Sequence, residues 1–384
     1  MQTDAVLKNI QSVLPAIRAR RQDIENARRM PRDLVDLLRA TRMFAMGAPR
    51  HLGGEQAAPV ELMRAIETVA TADGSAGWCA MIATSNGVSA GYMSDKGARE
   101  VFADPTAPIA GIAAPAGAAM RVDGGVRVKG RWPFASGITH CDWLWAGCLV
   151  MENGKPRMTP KGPEMVHACI PVREVEIHDT WYVSGLSGSG SNDFSVADVF
   201  VPENRLFALL DPSSHRQEPL FQMPAFGLFT YQVAAVSLGI ARGALDELTE
   251  LAQAKKPSLY TTPLADRGAA QIALARAEAA LGGARAFLYG TVENIWQSVA
   301  AGTAPTDRQI ALGRLAATHA AETCATVTRT ASVLAGGTAI YADSSLQRYA
   351  RDADAVAHHF TVSPHTWEED GRVLLGRTPT VPAF

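Results

Sequence analysis

The chain lacks an excess of either charge: 36 Lys and Arg face 38 Asp and Glu, a net of −2. No basic face and no basic patch interleaved with aromatics stands out, so nucleic acid is not an expected partner. No apolar run approaches the ~18 residues that a membrane helix needs. The longest, Val233 to Ala241, is bounded by Gln232 and Arg242. Met1 to Arg21 has no apolar signal-peptide core; Val6, Ile10, Val13, Leu14 and Ile17 recur there at helical spacing instead. The five cysteines, Cys79, Cys141, Cys148, Cys169 and Cys324, form no CxxC and no metal-ligand spacing. An odd, dispersed set suits a reducing compartment. These absences predict a cytoplasmic protein with no metal, no membrane and no nucleic acid among its partners.

What is present is apolar content, 47% of 384 residues, enough for a large core and two or three structural units. Positions 1–106 read as helical. Pro31 fits a first helical turn, with Leu34, Leu37 and Leu38 on one face. Leu62, Ile66 and Val69 mark another helix. Ser75 and Ser94 are candidate N-caps. The period changes over 107–218. Val126 to Lys129 alternates as a half-buried strand does, and Trp143 to Val150, Val166 to Ile170 and Phe194 to Val201 are further strands. Glycine and proline punctuate these runs, which predicts a small antiparallel β domain. From 219 to 384 the helical period returns in four long segments: Phe226 to Leu251, Ala269 to Ala301, Asp307 to Leu334 and Ser345 to Leu375. The fold class is α+β, mostly α.

Several motifs occur in order across this frame. Pro31-Arg32-Asp33-Leu34 and Pro49-Arg50-His51-Leu52-Gly53-Gly54 come first, followed by Val128-Lys129-Gly130-Arg131-Trp132, Ser136-Gly137 and Val199-Phe200-Val201-Pro202. Gly336-Gly337 and Arg351-Asp352-Ala353 close the series. Together they resemble the acyl-CoA dehydrogenase superfamily, whose fold is an N-terminal helical domain, a central antiparallel β domain and a C-terminal four-helix bundle. Three departures bear on chemistry. The family's Tyr-Glu-Gly-Thr signature is replaced by Thr366-Trp367-Glu368-Glu369-Asp370-Gly371, and its Thr-Glu-Pro segment by Ala113-Ala114-Pro115-Ala116-Gly117. The Arg-x-x-Phe-Gly element that helps hold FAD is also absent, with Lys255-Lys256-Pro257-Ser258 nearby. Both of the latter losses imply looser flavin binding. Trp132-Pro133-Phe134-Ala135-Ser136-Gly137, Leu264-Ala265-Asp266-Arg267 and His358-His359 are similar to the two-component, reduced-flavin-dependent monooxygenases.

That resemblance implies reduced FMN or FAD supplied by a separate flavin reductase, O₂ as co-substrate, and hydroxylation of a small aromatic or heteroaromatic molecule through a flavin C4a-hydroperoxide. It also implies a homotetramer. Ser136 and His359 are the expected catalytic residues. Ser136 would hold the flavin N5 region, and His359 would donate a proton, since histidine exchanges protons near neutral pH. On a helix His358 and His359 point about 100° apart, so one at most faces the flavin. Expected cofactor contacts are Trp132, Phe134, Ser136, Gly137, Arg267, Gly336 and Gly337, with Arg267 on a flavin phosphate. Trp78, Ser85, Asn86, Phe226, Phe229 and Tyr231 are expected to line the substrate site. Trp181 and Asn192 are assigned to domain packing, and Glu368 and Glu369 to a solvated acidic run. The competing readings are a divergent FAD-dependent acyl-CoA dehydrogenase and a catalytically silent flavin-fold assembly protein.

Overall fold

The structure is a computed structural model and describes residues 2–160, 162–211 and 216–380. Six helices come first: α1 (Gln2–Ala19), α2 (Arg21–Ala27), α3 (Arg32–Ala40), α4 (Pro59–Ala70), α5 (Gly74–Gly87) and α6 (Asp95–Val101). Ser94 caps α6 as its sequence position predicts, accepting a hydrogen bond from the Gly97 N–H. The cap of α5 is Asp73, not Ser75: the Asp73 carboxylate accepts from the Ala76 N–H at 2.9 Å. Ser75 lies inside the first turn, where its hydroxyl accepts from the Gly188 N–H. On α3, Leu34 and Leu38 are buried while Leu37 is exposed. Leu37 therefore leaves the expected apolar face.

The strands follow: β1 (Ile109–Val122), β2 (Gly125–Ala135), β3 (Trp143–Glu152), β4 (Lys155–Pro156), β5 (Met158–Thr159), β6 (Gly162–Pro163), β7 (Met165–Pro171), β8 (Glu176–His178), β9 (Asn192–Pro202) and β10 (Leu206–Phe207). The main sheet runs β10-β7-β3-β1-β2-β9-β8. It is antiparallel as expected, with the exception of one parallel pair, β1 with β3. The pair arises because 136–142 is not a hairpin. It crosses the N-terminal end of β1, so that Trp143 pairs with Ile109. Ser136 and Gly137 sit on this crossing, which places them at a sheet end rather than inside the sheet.

The last third is helical: α7 (Ala225–Ala254), α8 (Gly268–Ala300), α9 (Asp307–Ala335), α10 (Ser345–Ala357) and α11 (His365–Leu374). The expected continuous helix from Ser345 to Leu375 is thus two helices. Pro364 stands at the N-cap of α11, where its missing N–H costs no helical hydrogen bond, and α10 has already ended at Ala357. His358 and His359 therefore lie at and beyond a helix end, not within a helix. Among the described residues α7 is the one helix long and apolar enough to cross a membrane, yet 89% of its apolar window is buried inside the protein.

Two apolar cores result. One joins helices from both ends of the chain and includes Ile66, Trp78, Leu238, Val327 and Val356. The other fills the sheet around Val128, Trp132, Ile170 and Phe194. Fully burying each such large side chain stabilises by roughly 1.5–3 kcal/mol. Helix α7 approaches α4 through Gly239, where an added Cβ would meet the Glu67 carbonyl oxygen at 2.3 Å. This close contact fixes α7 against the N-terminal helices and so aligns the walls of the site.

Candidate active site

Helix α5 carries Trp78 towards the end of β2. The indole Nε1–H donates to Ser136 Oγ at 2.9 Å. Ser136 Oγ lies 2.6 Å from Ser191 Oγ, and Ser191 Oγ lies 2.7 Å from Ser189 Oγ. A hydroxyl can accept two hydrogen bonds and donate one. When Ser191 donates to it, Ser136 accepts twice and keeps its own proton for a third partner. Ser189 and Ser191 were not singled out from the sequence, although the alternation Ser187-Gly188-Ser189-Gly190-Ser191 marks an irregular loop. Its backbone holds the crossing in place: the Gly137 N–H donates to the Ser189 carbonyl at 2.9 Å.

His359 reaches the same place from the other side. Its ring centroid is 5.5 Å from that of Trp78, 5.6 Å from Phe229 and 4.8 Å from Phe360. Protein packs closely around the ring, yet part of its surface stays accessible. Burial lowers its pKa to about 4. His359 is therefore neutral at physiological pH, which corrects the expectation of a group that exchanges protons near neutrality. Its tautomer follows from its partners. The Thr361 backbone N–H donates to Nδ1 at 3.4 Å, and the Thr361 hydroxyl lies 2.9 Å from the same atom. With Nδ1 accepting, the proton sits on Nε2. His358 is exposed, and its Nδ1 lies 2.8 Å from the Asp354 carbonyl.

The other expected residues divide sharply. Phe226 and Phe229 are partly exposed near the start of α7, and Phe226 meets Phe360 at 6.3 Å. Ser85 is also partly exposed, with its hydroxyl donating to Gln232 Oε1 at 2.8 Å. Gln232 was missed because glutamine in an apolar helix carries no distinctive signal. Phe134 is 65% exposed with φ +65, in a register shift between β2 and β9. A non-glycine residue held there is strained backbone of the kind found at ligand sites.

Three expected contacts are corrected. Trp132 is fully buried, stacked 4.9 Å from Phe194, with its indole N–H on the Gly147 carbonyl. It belongs to the β core. Tyr231 is fully buried behind the aromatic face of α7, against Gly313. Asn86 is buried and donates to the Ile109 carbonyl at 2.8 Å, tying α5 to β1. Trp181 and Asn192 do serve packing: Asn192 Oδ1 accepts from the Thr180 and Trp181 N–H groups, each at 3.1 Å.

Arg267, Gly336 and Gly337 are brought together elsewhere. They line a cleft of about 670 Å³ with Lys255, Lys256 and Tyr341. None of Trp78, Ser136 and His359 lines it. The Arg267 guanidinium lies over the Tyr260 ring at 3.7 Å.

The acidic run is not uniformly solvated. Glu368 is exposed, but Glu369 is largely buried and accepts from the Thr380 N–H at 2.7 Å. Asp370 is fully buried, 3.0 Å from Arg314 Nε, and burial raises its pKa to about 7. Both buried carboxylates are thus held by partners outside the Trp78–His359 cluster.

Residues 231–364 match the acyl-CoA dehydrogenase C-terminal domain family. Over 366 residues the chain is 35% identical to an indole-3-acetate monooxygenase of Pseudomonas putida, covering 94% of this chain and 91% of that one. The chain belongs to the flavin-dependent monooxygenases of acyl-CoA dehydrogenase fold. It is 30% identical over 374 residues to the flavin-dependent monooxygenase oxygenase subunit HsaA of Mycobacterium tuberculosis, covering 94% and 92% of the two chains. The crystal structure of 3-HSA hydroxylase from Rhodococcus sp. RHA1 superposes with a TM-score of 0.91 at 28% identity, covering 99% of each chain. As a flavin-dependent monooxygenase this protein uses reduced flavin and O₂. The expected mostly helical α+β fold and the expected flavin-dependent monooxygenase class both hold.

Proposed function

We propose that this oxygenase hydroxylates a neutral aromatic or heteroaromatic small molecule in the pocket between α5 and α7, with reduced FMN or FAD delivered by a separate reductase. The observation that carries the reading is the convergence of Trp78, Ser136, Phe229 and His359 on one aromatic, uncharged space. The residues fit a flavin. With Ser191 as the donor, Ser136 has a proton to offer a ring edge, at a sheet end where strained Phe134 stands exposed beside Trp181. Reduced flavin, when bound, supplies O₂ activation and oxygen-atom transfer.

The chain's own groups then have defined tasks. Ser136, polarised by the Trp78 N–H, orients the ring. His359 Nε2–H donates a hydrogen bond to the reacting oxygen. Because burial makes His359 a weak base, it leaves the proton on that oxygen rather than removing it. Phe226, Phe229 and Phe360 exclude water, which otherwise diverts oxygen to H₂O₂. Arg267, Gly336 and Gly337 would hold the phosphate end of a flavin, and exposed Val333, Ile340 and Tyr341 beside them suit completion of that cleft by another copy in a homotetramer. Five buried, unpaired cysteines suit a cytoplasmic enzyme.

The test is to supply reduced FMN or FAD, O₂ and a panel of phenols and indoles, and to measure hydroxylated product against H₂O₂. Product formation from at least one ring is expected. Peroxide alone across the panel, with flavin instead bleached by an acyl-CoA, would overturn the reading.

A further inference from the structure

Helix α5 is buried along its whole length except at one residue. From Gly74 to Gly87 every side chain is buried save Ser85. Trp78, Ile82 and Ser85 share one face, at i, i+4 and i+7. Across from it, the partly exposed residues among the first eight of α7 are Ala225, Phe226 and Phe229. The two stripes flank the α5–α7 slot proposed above for the substrate. Trp78 and Phe229 both meet His359. Ser85 and Gln232 pair two turns along α5 from Trp78, about 10 Å of helix rise, and one turn along α7 from Phe229.

The hydrogen bonds set the polarity of this pair. Gln232 Nε2 donates to the Leu228 carbonyl at 3.3 Å, which turns Oε1 towards Ser85. An amide oxygen only accepts, so the Ser85 proton is committed to it at 2.8 Å. The alternative acceptor, Met81 Sδ at 3.5 Å, lies on the same helix and is weak. Ser85 Oγ therefore presents lone pairs to the slot. It can accept from a ring N–H or a phenolic O–H. A carboxylate brings lone pairs and charge of its own and finds no donor there.

We propose that Ser85 and Gln232 are a specificity-determining pair, selecting aromatic substrates that carry a neutral hydrogen-bond donor over those ending in a carboxylate. This rests on the pocket assigned above to the substrate. A missing donor at a site built for one leaves a buried polar group unpaired, the arrangement that discriminates most strongly between analogues.

The experiment is calorimetric titration without oxygen, on the full chain alone and saturated with reduced FMN. The probes are indole, 1-methylindole and indole-3-acetate. Wild type is expected to bind indole about tenfold more tightly than either analogue. Ser85→Ala should remove the preference over 1-methylindole. Gln232→Met frees the Ser85 proton and should improve indole-3-acetate binding relative to indole. Equal affinity of wild type for indole and 1-methylindole, tighter binding of indole-3-acetate, or a preference unchanged in both variants would overturn the proposal. Binding is read without turnover. Intact selectivity with no hydroxylated product under O₂ would therefore count against the hydroxylation reading and not against this one.

Discussion

The pocket at Trp78 and His359 and the cleft at Arg267 differ in almost every physical respect. The pocket is aromatic and uncharged: a serine chain supplies hydrogen bonds at one side and a neutral imidazole at the other. The cleft is open and basic, with Lys255, Lys256 and Arg267 on its walls and apolar Val333, Ile340 and Tyr341 exposed around it. A low-dielectric space strengthens each hydrogen bond made inside it and keeps water from the reacting atoms. An open basic groove does neither, but attracts anions. Under the proposed function the contrast makes chemistry and cofactor retention separable: one site would control the fate of oxygen, the other the residence of flavin.

Breaking the pocket should have the largest effect. His359→Ala removes the Nε2 donor and opens the space to water, so product should fall about 100-fold relative to H₂O₂, as loss of a positioned proton-holding group commonly does. Flavin affinity should change little. Arg267→Ala should do the reverse, weakening flavin binding about tenfold, or about 1.4 kcal/mol, with the product-to-peroxide ratio intact; equilibrium titration with reduced flavin reads this directly. A smaller change is expected from Ser191→Ala. Losing one hydrogen bond of about 1 kcal/mol to Ser136 should lower coupling roughly fivefold.

The smallest expected effect is on pH. His359 titrates near 4 rather than 6.5, so coupling should be flat from pH 5.5 to 8, and a break near 6.5 in the product-to-peroxide profile would refute the neutral assignment. The stability consequence has a definite sign. The folded state resists protonating this ring. Wild type should therefore lose thermal stability relative to His359→Asn as pH falls from 6.5 towards 4.

The fold and part of the site were legible in the sequence, for different reasons. Helical and strand periods located α7, α8, α9 and the main strands because each buries a continuous apolar face. The parallel pair of β1 and β3 was not legible, since it depends on a crossing whose residues have no period. Ser136 and His359 stood out through their motifs, and the structure brings both to Trp78. Trp132 and Tyr231 were misplaced because an aromatic looks the same in sequence whether it lines a cavity or fills a core. Gln232, Ser189 and Ser191 act through hydrogen bonds between distant segments, which spacing alone does not reveal. The acidic run was misread at Glu369, whose partner Thr380 lies 11 positions further along the chain, beyond the end of α11.

The most direct measurement is a crystal structure of the protein soaked anaerobically with reduced FMN. The account predicts the flavin ring with one edge about 3 Å from Ser136 Oγ, His359 Nε2 facing the ring, and the phosphate directed to an Arg267 cleft. A ring bound away from Ser136 and His359, or placed against the Glu369 carboxylate, would contradict it.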